Sequence, residues 1–343
     1  MTTRQPRQPG KIGVTIAGTG SALPSEVLTN QDLMKVMDTS DEWIVQRTGI
    51  RTRYRINREK GESVSWLGAE ALKNALAAAR MSAGDLDLII CATMTAEMPC
   101  PAAACWIADR VGARNCGAFD LNAACSGFVF GMNTAHDLIR MGGYRTIAVI
   151  GADVLSTLMD YSTAGRNTSI IFGDAAGCAI VRATDNPSQG ILAQAMHCDG
   201  AGWKDIFVPL TAQDFPPGIP VDEAKYGHVQ MNGSSVFKFA VGTFPELIQQ
   251  TLDKTQMSAS DVHMFVCHQS NARILQAARE RFGLAEDKLY VNIDRFGNTV
   301  GASVPLCLDE LVRAGRINLD SGQRIMMVAF GGGLTWGSSL WQL

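Results

Sequence analysis

The stretch "MSAGDLDLIICAT" (residues 81–93) reads almost in step with "MSASDVHMFVCHQ" (residues 257–269), an offset of 176 residues. Each copy follows a helical pattern, "SVSWLGAEALKNALAAAR" (63–80) or "SSVFKFAVGTFPELIQQTLDKTQ" (234–256), and each passes through a turn rich in Ser and Asp into an apolar strand. A second pair stands at nearly the same offset: "RTIAVIGAD" (145–153) and "RIMMVAFGG" (324–332). Two spaced pairs in one order predict a duplicated unit of about half the chain. The strands "DLIICAT", "TIAVIGA" and "IMMVAFG" are apolar throughout rather than alternating, the pattern of parallel or mixed sheets covered on both faces. The expected architecture is therefore α/β in two similar halves. The polar stretch "RATDNPSQG" (182–190), with Pro187 and Gly190, marks the break, giving halves at 1–186 and 187–343. No long linker or low-complexity segment interrupts either half.

Composition narrows the function classes. The 343 residues are 46% hydrophobic with 34 glycines, enough for a large core. A formal charge of −3 argues against a protein that binds a phosphate backbone. The opening "MTTRQPRQPGKIGVTIAGTG" has only a short apolar run, neither a signal peptide nor a spanning helix, which predicts a cytoplasmic protein without a membrane segment. Nine cysteines are scattered without a CxxC pair or His-rich spacing, so neither a disulfide framework nor a metal site is expected. Most of them read as small core hydrophobes, as Cys91 and Cys267 do inside strand-like runs.

Cys125 has a different setting. It lies in "DLNAACSGFVFG" (120–131), between the strand-like "CGAFDLN" and the helical "GFVFGMNTAHDLIRMGG". A strand-to-helix turn gives it free backbone amides and the positive end of a helix dipole, which favour thiolate over thiol. Its small neighbours Ala123, Ala124, Ser126 and Gly127 let a carbonyl approach the sulfur. On these residues alone, a nucleophile and a buried structural thiol fit equally well. Of the five histidines, His136 falls on the polar stripe of the following helix, His263 at a strand start, and His197 and His228 in a loop-rich region. His268 differs: it ends the apolar run "HMFVC" where the first repeat has Ala92, at the carboxyl end of a strand, where α/β sheets bind ligands. In "DRFGNTVGASVPLCLDEL" (294–311), Asn298 sits in a Gly-rich turn before a helix. It serves turn geometry or, as an uncharged amide, donates to an oxyanion. The glycines of "AFGGGLTWG" (329–337) allow backbone amides to reach a reacting carbonyl, or simply make a flexible turn.

Six motifs in one order, "DEWIVQRTGI" (41–50), "AACSGF" (123–128), "IIFGDAAG" (170–177), "HQSN" (268–271), "GNTVGAS" (297–303) and "FGGGLTWG" (330–337), resemble the thiolase-fold condensing enzymes, specifically the β-ketoacyl-acyl-carrier-protein synthase III family, over essentially the whole chain. The resemblance implies a layered αβαβα core and a reaction in which Cys125 takes the acyl group of an acyl-CoA, with the amides of Cys125 and Gly332 as oxyanion hole. Malonyl carried on acyl carrier protein then decarboxylates, His268 and Asn298 stabilise the enolate, and condensation gives a β-ketoacyl product that initiates fatty acid synthesis. No metal or redox cofactor is implied; acyl-CoA and malonyl-carrier protein are substrates. By the same resemblance Trp43 and Arg166 sandwich the CoA adenine, Arg47 and Thr48 meet its phosphates, and Lys238, Arg273 and Arg281 receive the acidic carrier protein. Phe330 and Cys100 belong to the acyl pocket, Cys100 by reaching into a partner subunit of a homodimer. In "AEMPCPAAAC" (96–105), Cys100 replaces the phenylalanine of acetyl-primed relatives, which implies a deeper pocket and a medium or branched primer. One alternative is a relative that moves the acyl group to an oxygen, nitrogen or other carbon nucleophile. A papain-like hydrolase lacks support in the local cysteine signature. In "GTGSALP" (18–24) the third glycine of a nucleotide-binding fingerprint is missing and Pro24 blocks a helix.

Overall fold

A computed structural model describes residues 12–343; the first eleven residues, on which much of the expectation about the amino terminus rests, lie outside the described residues. The chain runs through β1 (Gly13–Ala22), β2 (Glu26–Thr29), α1 (Asn30–Met34), α2 (Asp41–Thr48), β3 (Thr52–Arg55), α3 (Val64–Ala79), β4 (Leu88–Ala92), α4 (Ala103–Val111) and β5 (Gly117–Leu121). It continues through α5 (Gly127–Arg140), β6 (Thr146–Asp153), α6 (Arg166–Ser169), β7 (Ala175–Thr184), β8 (Gly190–Cys198), the short pair β9 (Ile206–Phe207) and β10 (Gln230–Met231), and α7 (Gly233–Thr255). It closes with β11 (Met264–Cys267), α8 (Ala272–Arg281), α9 (Ile293–Phe296), α10 (Ser303–Arg313), β12 (Arg324–Gly331) and β13 (Thr335–Gln342).

Two mixed sheets carry the repeat. The first has the order β1-β7-β6-β4-β5 and the second β11-β12-β13-β8. The parallel pair β4/β6 corresponds to β11/β12, and the antiparallel neighbours β7 and β1 correspond to β13 and β8. An isolated parallel bridge from Phe265 to Leu289 stands where β5 pairs with β4. The Ser-Asp turns before β4 and β11 are both capping boxes, Ser82 with Asp85 and Ser258 with Asp261. The connection between the sheets is the polar 185–189 stretch, between the end of β7 and the start of β8.

Burial explains the layers. The strands β4 and β6 are buried along their whole length, as an all-apolar strand requires. Helices α5 and α10 lie between the sheets, in a core that joins Ile16 and Val149 of the first to Val266 and Met327 of the second. Outside, α3 and α4 cover the first sheet and α7 and α8 the second. The result is five layers, α-β-α-β-α. Layer spacing is close where glycine permits it: a Cβ at Gly18 of β1 would stand 2.7 Å from the backbone nitrogen of Ala79 in α3. A Cβ at Gly151 of β6 would collide with the Gly301 carbonyl, so this glycine lets the turn after Asn298 dock on the first sheet.

Two histidines depart from their expected setting. His136 is buried rather than on a polar stripe, with its ring edge-on to Trp341 at 5.7 Å, because α5 is packed by sheets on both sides. His197 lies in β8, not in a loop, stacked on Trp336 at 5.5 Å.

Candidate active site

The carboxyl ends of β5, β11 and β12 and the turn between α9 and α10 converge on one cavity of about 720 Å³, whose walls include Cys125, His268, Asn298, Phe330 and Gly332. Cys125 sits in the single helical turn Ala124–Ser126 between β5 and α5. Ala124 takes φ +46°, a conformation costly for a residue with a side chain, and this sharp turn exposes the sulfur to the cavity. Gly331 must be glycine, since a Cβ there would lie 2.7 Å from the Cys125 nitrogen. Thr335 fastens the two segments: its hydroxyl lies within hydrogen-bond reach of the carbonyls of Ala123, at 3.1 Å, and Gly332, at 3.2 Å.

The electrostatics of Cys125 differ from the expectation of a lowered pKa. The residue is 8% exposed, and burial, then the negative charge of Asp153, push its thiol well above the ordinary range. A helix N-terminus opposes this by up to about 2 kcal/mol in a partly buried setting, less than full desolvation of a thiolate costs. Cys125 therefore rests as a thiol. Asp153 itself is fully buried at the end of β6, and burial raises its carboxyl to about 6 against the donors that surround it.

His268 is 1% exposed and extends the β11 ladder by donating its backbone N–H to Val328 O at 2.8 Å. Its Nδ1 lies 3.0 Å from Ser303 Oγ, and that oxygen accepts the Gln269 backbone N–H at 2.8 Å. Among the described residues Nδ1 is the one acceptor within reach of the Ser303 hydroxyl proton. Donation of that proton to Nδ1 satisfies the hydroxyl and corresponds to the tautomer with the imidazole hydrogen on Nε2. Nε2 is buried with no partner among the described residues, and burial pushes the imidazole pKa down to about 3, so the ring is neutral. Phe330 packs against it at 5.4 Å, ring planes 77° apart.

Asn298 is 5% exposed and tied down on its backbone, donating to Ile171 O at 2.9 Å and accepting from Gly173 N–H at 3.0 Å. Its Oδ1 accepts the Val300 N–H at 2.9 Å, leaving the Nδ2 donor for the cavity. Val300 holds φ +53°, a genuine outlier for a β-branched residue. The cavity thus joins a thiol to two neutral donors.

At the mouth, Trp43, Arg47 and Thr48 of α2 line the cavity. The Arg47 and Arg166 guanidinium carbons lie 4.6 Å and 5.3 Å from the Trp43 ring centroid. Arg166 also donates to the Asp38 carbonyl at 2.6 Å. The Thr48 hydroxyl donates to Ile44 O at 2.7 Å and accepts the Ile50 N–H at 3.0 Å, which leaves no side-chain donor for a phosphate. Arg273 reaches the rim over Phe237 at 5.2 Å, whereas Lys238 and Arg281 are exposed and off the cavity wall. Cys100 is exposed and also off the wall of its own chain's cavity. Sequence reasoning missed Ser303, Ser270, whose buried hydroxyl on the cavity wall has no partner among the described residues, and Asp153. A charged residue closing the otherwise apolar "TIAVIGAD" was the signal available for the last. Among the described residues no cluster of three His, Cys, Asp or Glu could hold a metal ion, and no helix is long and apolar enough to cross a membrane.

Two family profiles match the chain: 3-oxoacyl-[acyl-carrier-protein (ACP)] synthase III at residues 119–200, and the C-terminal profile of the same description at 252–343. A β-ketoacyl-[acyl-carrier-protein] synthase III of Caldanaerobacter subterraneus subsp. tengcongensis is 42% identical over 330 residues, covering 96% of this chain and 98% of its own. One from Xylella fastidiosa is 41% identical over 331 residues, with 96% and 98% covered. Among solved structures, the 3-oxoacyl-[acyl-carrier-protein] synthase III of Aquifex aeolicus VF5 superposes with a TM-score of 0.87 at 36% identity, covering 96% of this chain and all 100% of that one. The priming β-ketosynthase of the R1128 polyketide biosynthetic pathway gives 0.88 at 31% identity, with 98% of each chain covered.

Proposed function

The chain belongs to the β-ketoacyl-[acyl-carrier-protein] synthase III family, condensing acyltransferases that initiate fatty acid synthesis, and from that premise we propose how its own residues divide the reaction. Cys125 Sγ attacks the carbonyl carbon of an acyl-CoA, the bond to the CoA sulfur breaks, and CoA leaves with the thiol proton. The amides of Cys125 and Gly332 receive the tetrahedral oxyanion. Malonyl-carrier protein then loses carbon dioxide, and its enolate oxygen accepts from His268 Nε2–H and Asn298 Nδ2–H. The enolate carbon attacks the acyl-cysteine, and Cys125 departs as thiolate. These steps draw on the two thioester substrates and on no further cofactor.

The observation that carries this reading is the pair of groups in the cavity of Cys125: a buried His268 Nε2 that has no partner among the described residues, and an Asn298 amide oriented by Val300. Neutral donors suit an oxygen that gains charge as carbon dioxide leaves. The test is intact-protein mass spectrometry after a panel of acyl-CoAs, followed by malonyl-carrier protein. Acylation and then a β-ketoacyl product is the expected result. Acylation without condensation would assign the chain to transfer onto another nucleophile, and no adduct would overturn the role of Cys125.

The primer is proposed to be longer than acetyl or branched. Cys125 borders an apolar wall of Leu155, Met159, Phe172, Val229 and Val300, and the small, exposed Cys100 of a partner subunit would leave that wall room. A homodimer through β5 is part of the proposal: this edge strand presents Phe119, 39% exposed, beside an unpaired ladder edge. Phe119→Asp is expected to yield monomers in sedimentation velocity, and an unchanged dimer would place the interface elsewhere. The cytoplasmic setting expected from the sequence belongs to the same proposal and is checked by cell fractionation.

Arg273, Lys238 and Arg281 are proposed as the landing surface for the acidic carrier protein, supported by their exposure and by Arg273 on the rim. Exposed charge pairs contribute up to about 1 kcal/mol each, so Arg273→Glu with Lys238→Glu is expected to raise the KM for malonyl-carrier protein by about tenfold, within the roughly 30-fold ceiling that two such pairs set. The KM for acyl-CoA should hold, and the defect should shrink as salt rises. A KM for carrier protein that ignores both substitutions would remove these residues from the contact.

A further inference from the structure

The most heavily bonded acid near the cavity has no part in the chemistry above. Asp153 Oδ1 accepts from the Met94 N–H at 2.9 Å and from the hydroxyls of Thr95 at 3.0 Å and Thr93 at 3.2 Å. Its Oδ2 accepts from the Gly301 N–H at 2.9 Å. The two oxygens therefore hold two different segments. Met94 belongs to the apolar wall beside Cys125, and Gly301 follows Val300, whose N–H fixes the Asn298 amide.

Gly301 is wedged as well as bonded: a Cβ there would stand 3.0 Å from Asp153 Oδ2, 3.3 Å from Ala92 O and 3.8 Å from Ala124 O. The turn thus rests on the ends of β6 and β4 and on the residue before Cys125. Val300 keeps its unfavourable φ only because its surroundings over-determine it, and among the described residues the Gly301 bond is the one charge-assisted restraint on that turn. A turn of this kind relaxes when its restraint is lost.

We propose that Asp153 is a positioning residue for the condensation step, holding through Gly301 the strained turn that aims the Asn298 amide, while its other oxygen gathers the 93–95 loop. The proposal rests on the roles given above to Asn298 and Cys125. Asp153→Asn tests it, because the amide cannot serve both sides. With its oxygen kept toward the three donors of the 93–95 loop, its NH2 faces the Gly301 N–H, and donor meets donor.

The two half-reactions are measured separately on the full chain: acyl transfer from acyl-CoA by intact mass, and condensation of pre-acylated enzyme with malonyl-carrier protein. Asp153→Asn is expected to lower kcat for condensation on the order of 10²-fold, as a misplacement of about 1 Å does. The KM for the malonyl thioester and the acylation rate should not fall. Condensation at the wild-type rate overturns the proposal, and so does a parallel loss of acylation, which would mark a general structural defect. Gly301→Ala keeps the carboxylate but pushes it off the turn. It is expected to show the same split, and it decides the matter if Asp153→Asn does not fold. Asn298→Ala separates the two levels: undiminished condensation there would sink the role of Asn298 itself, whereas its loss beside intact Asp153→Asn and Gly301→Ala would sink only the clamp.

Discussion

Cys125→Ala is expected to abolish the acyl-enzyme adduct and to cut β-ketoacyl formation by on the order of 10⁴- to 10⁶-fold, the scale on which losing a covalent nucleophile acts in hydrolases. Neither the adjacent serine nor another buried thiol is placed to take over. Ser126 is buried and donates its hydroxyl to Thr335 O at 3.1 Å, and the buried thiols Cys91, Cys178, Cys267 and Cys307 lie off the cavity wall. The pH dependence sharpens the test, because burial and Asp153 raise the Cys125 thiol pKa rather than lower it. A raised pKa means that the thiolate fraction keeps growing about tenfold per pH unit through the neutral range. Alkylation of Cys125 by iodoacetamide, followed by peptide mapping, should therefore accelerate steadily from pH 6 to 9 without a plateau. A plateau below pH 8 would show that the α5 terminus outweighs burial. Adduct formation in Cys125→Ala would place the nucleophile elsewhere.

The repeat was the most legible feature because duplication preserves both the capping-box turns and the all-apolar strands, at 81–93 and 257–269. Each is a local pattern that survives without knowledge of its partner. The same comparison singled out His268, since the second copy has an imidazole where the first has Ala92. The setting of His136 was misread for a related reason: between two sheets α5 keeps only a narrow solvated stripe, which Asp137 occupies and His136 does not. The Cys125 pKa was misjudged because a turn before a helix reveals the dipole but not the depth of burial. Ser303, Thr48 and Asp153 show a further limit. Whether a hydroxyl is free for substrate, or donated to Ile44 O as in Thr48, depends on neighbours that spacing along the chain does not display. Asp153 and Gly301 are joined across two halves of the molecule, and no local motif contains both.

His268→Ala and Asn298→Ala are each expected to slow decarboxylation and condensation by about 10²- to 10³-fold, the effect of removing one donor from an oxyanion site. Acylation of Cys125 should survive in both. The losses should not add, because the two donors share one oxygen and removing either already releases it. The sign of charge matters more than size. Asn298→Asp preserves shape and the acceptor for the Val300 N–H, yet it turns the free oxygen of a carboxylate toward a developing enolate. It is expected to be at least as damaging as Asn298→Ala, with carbon dioxide release from malonyl-carrier protein as the readout. The pH profile tests the neutral state of His268. Burial holds the imidazole pKa near about 3, so above pH 4 the ring stays uncharged and Nε2 keeps its proton. Decarboxylation by pre-acylated enzyme should then show no step near pH 6.5, where an ordinary histidine titrates. A step there that vanishes in His268→Ala would mean the ring works by changing charge. A flat profile would mean that the fold supplies the proton donor ready-made, with Ser303 fixing which nitrogen carries it.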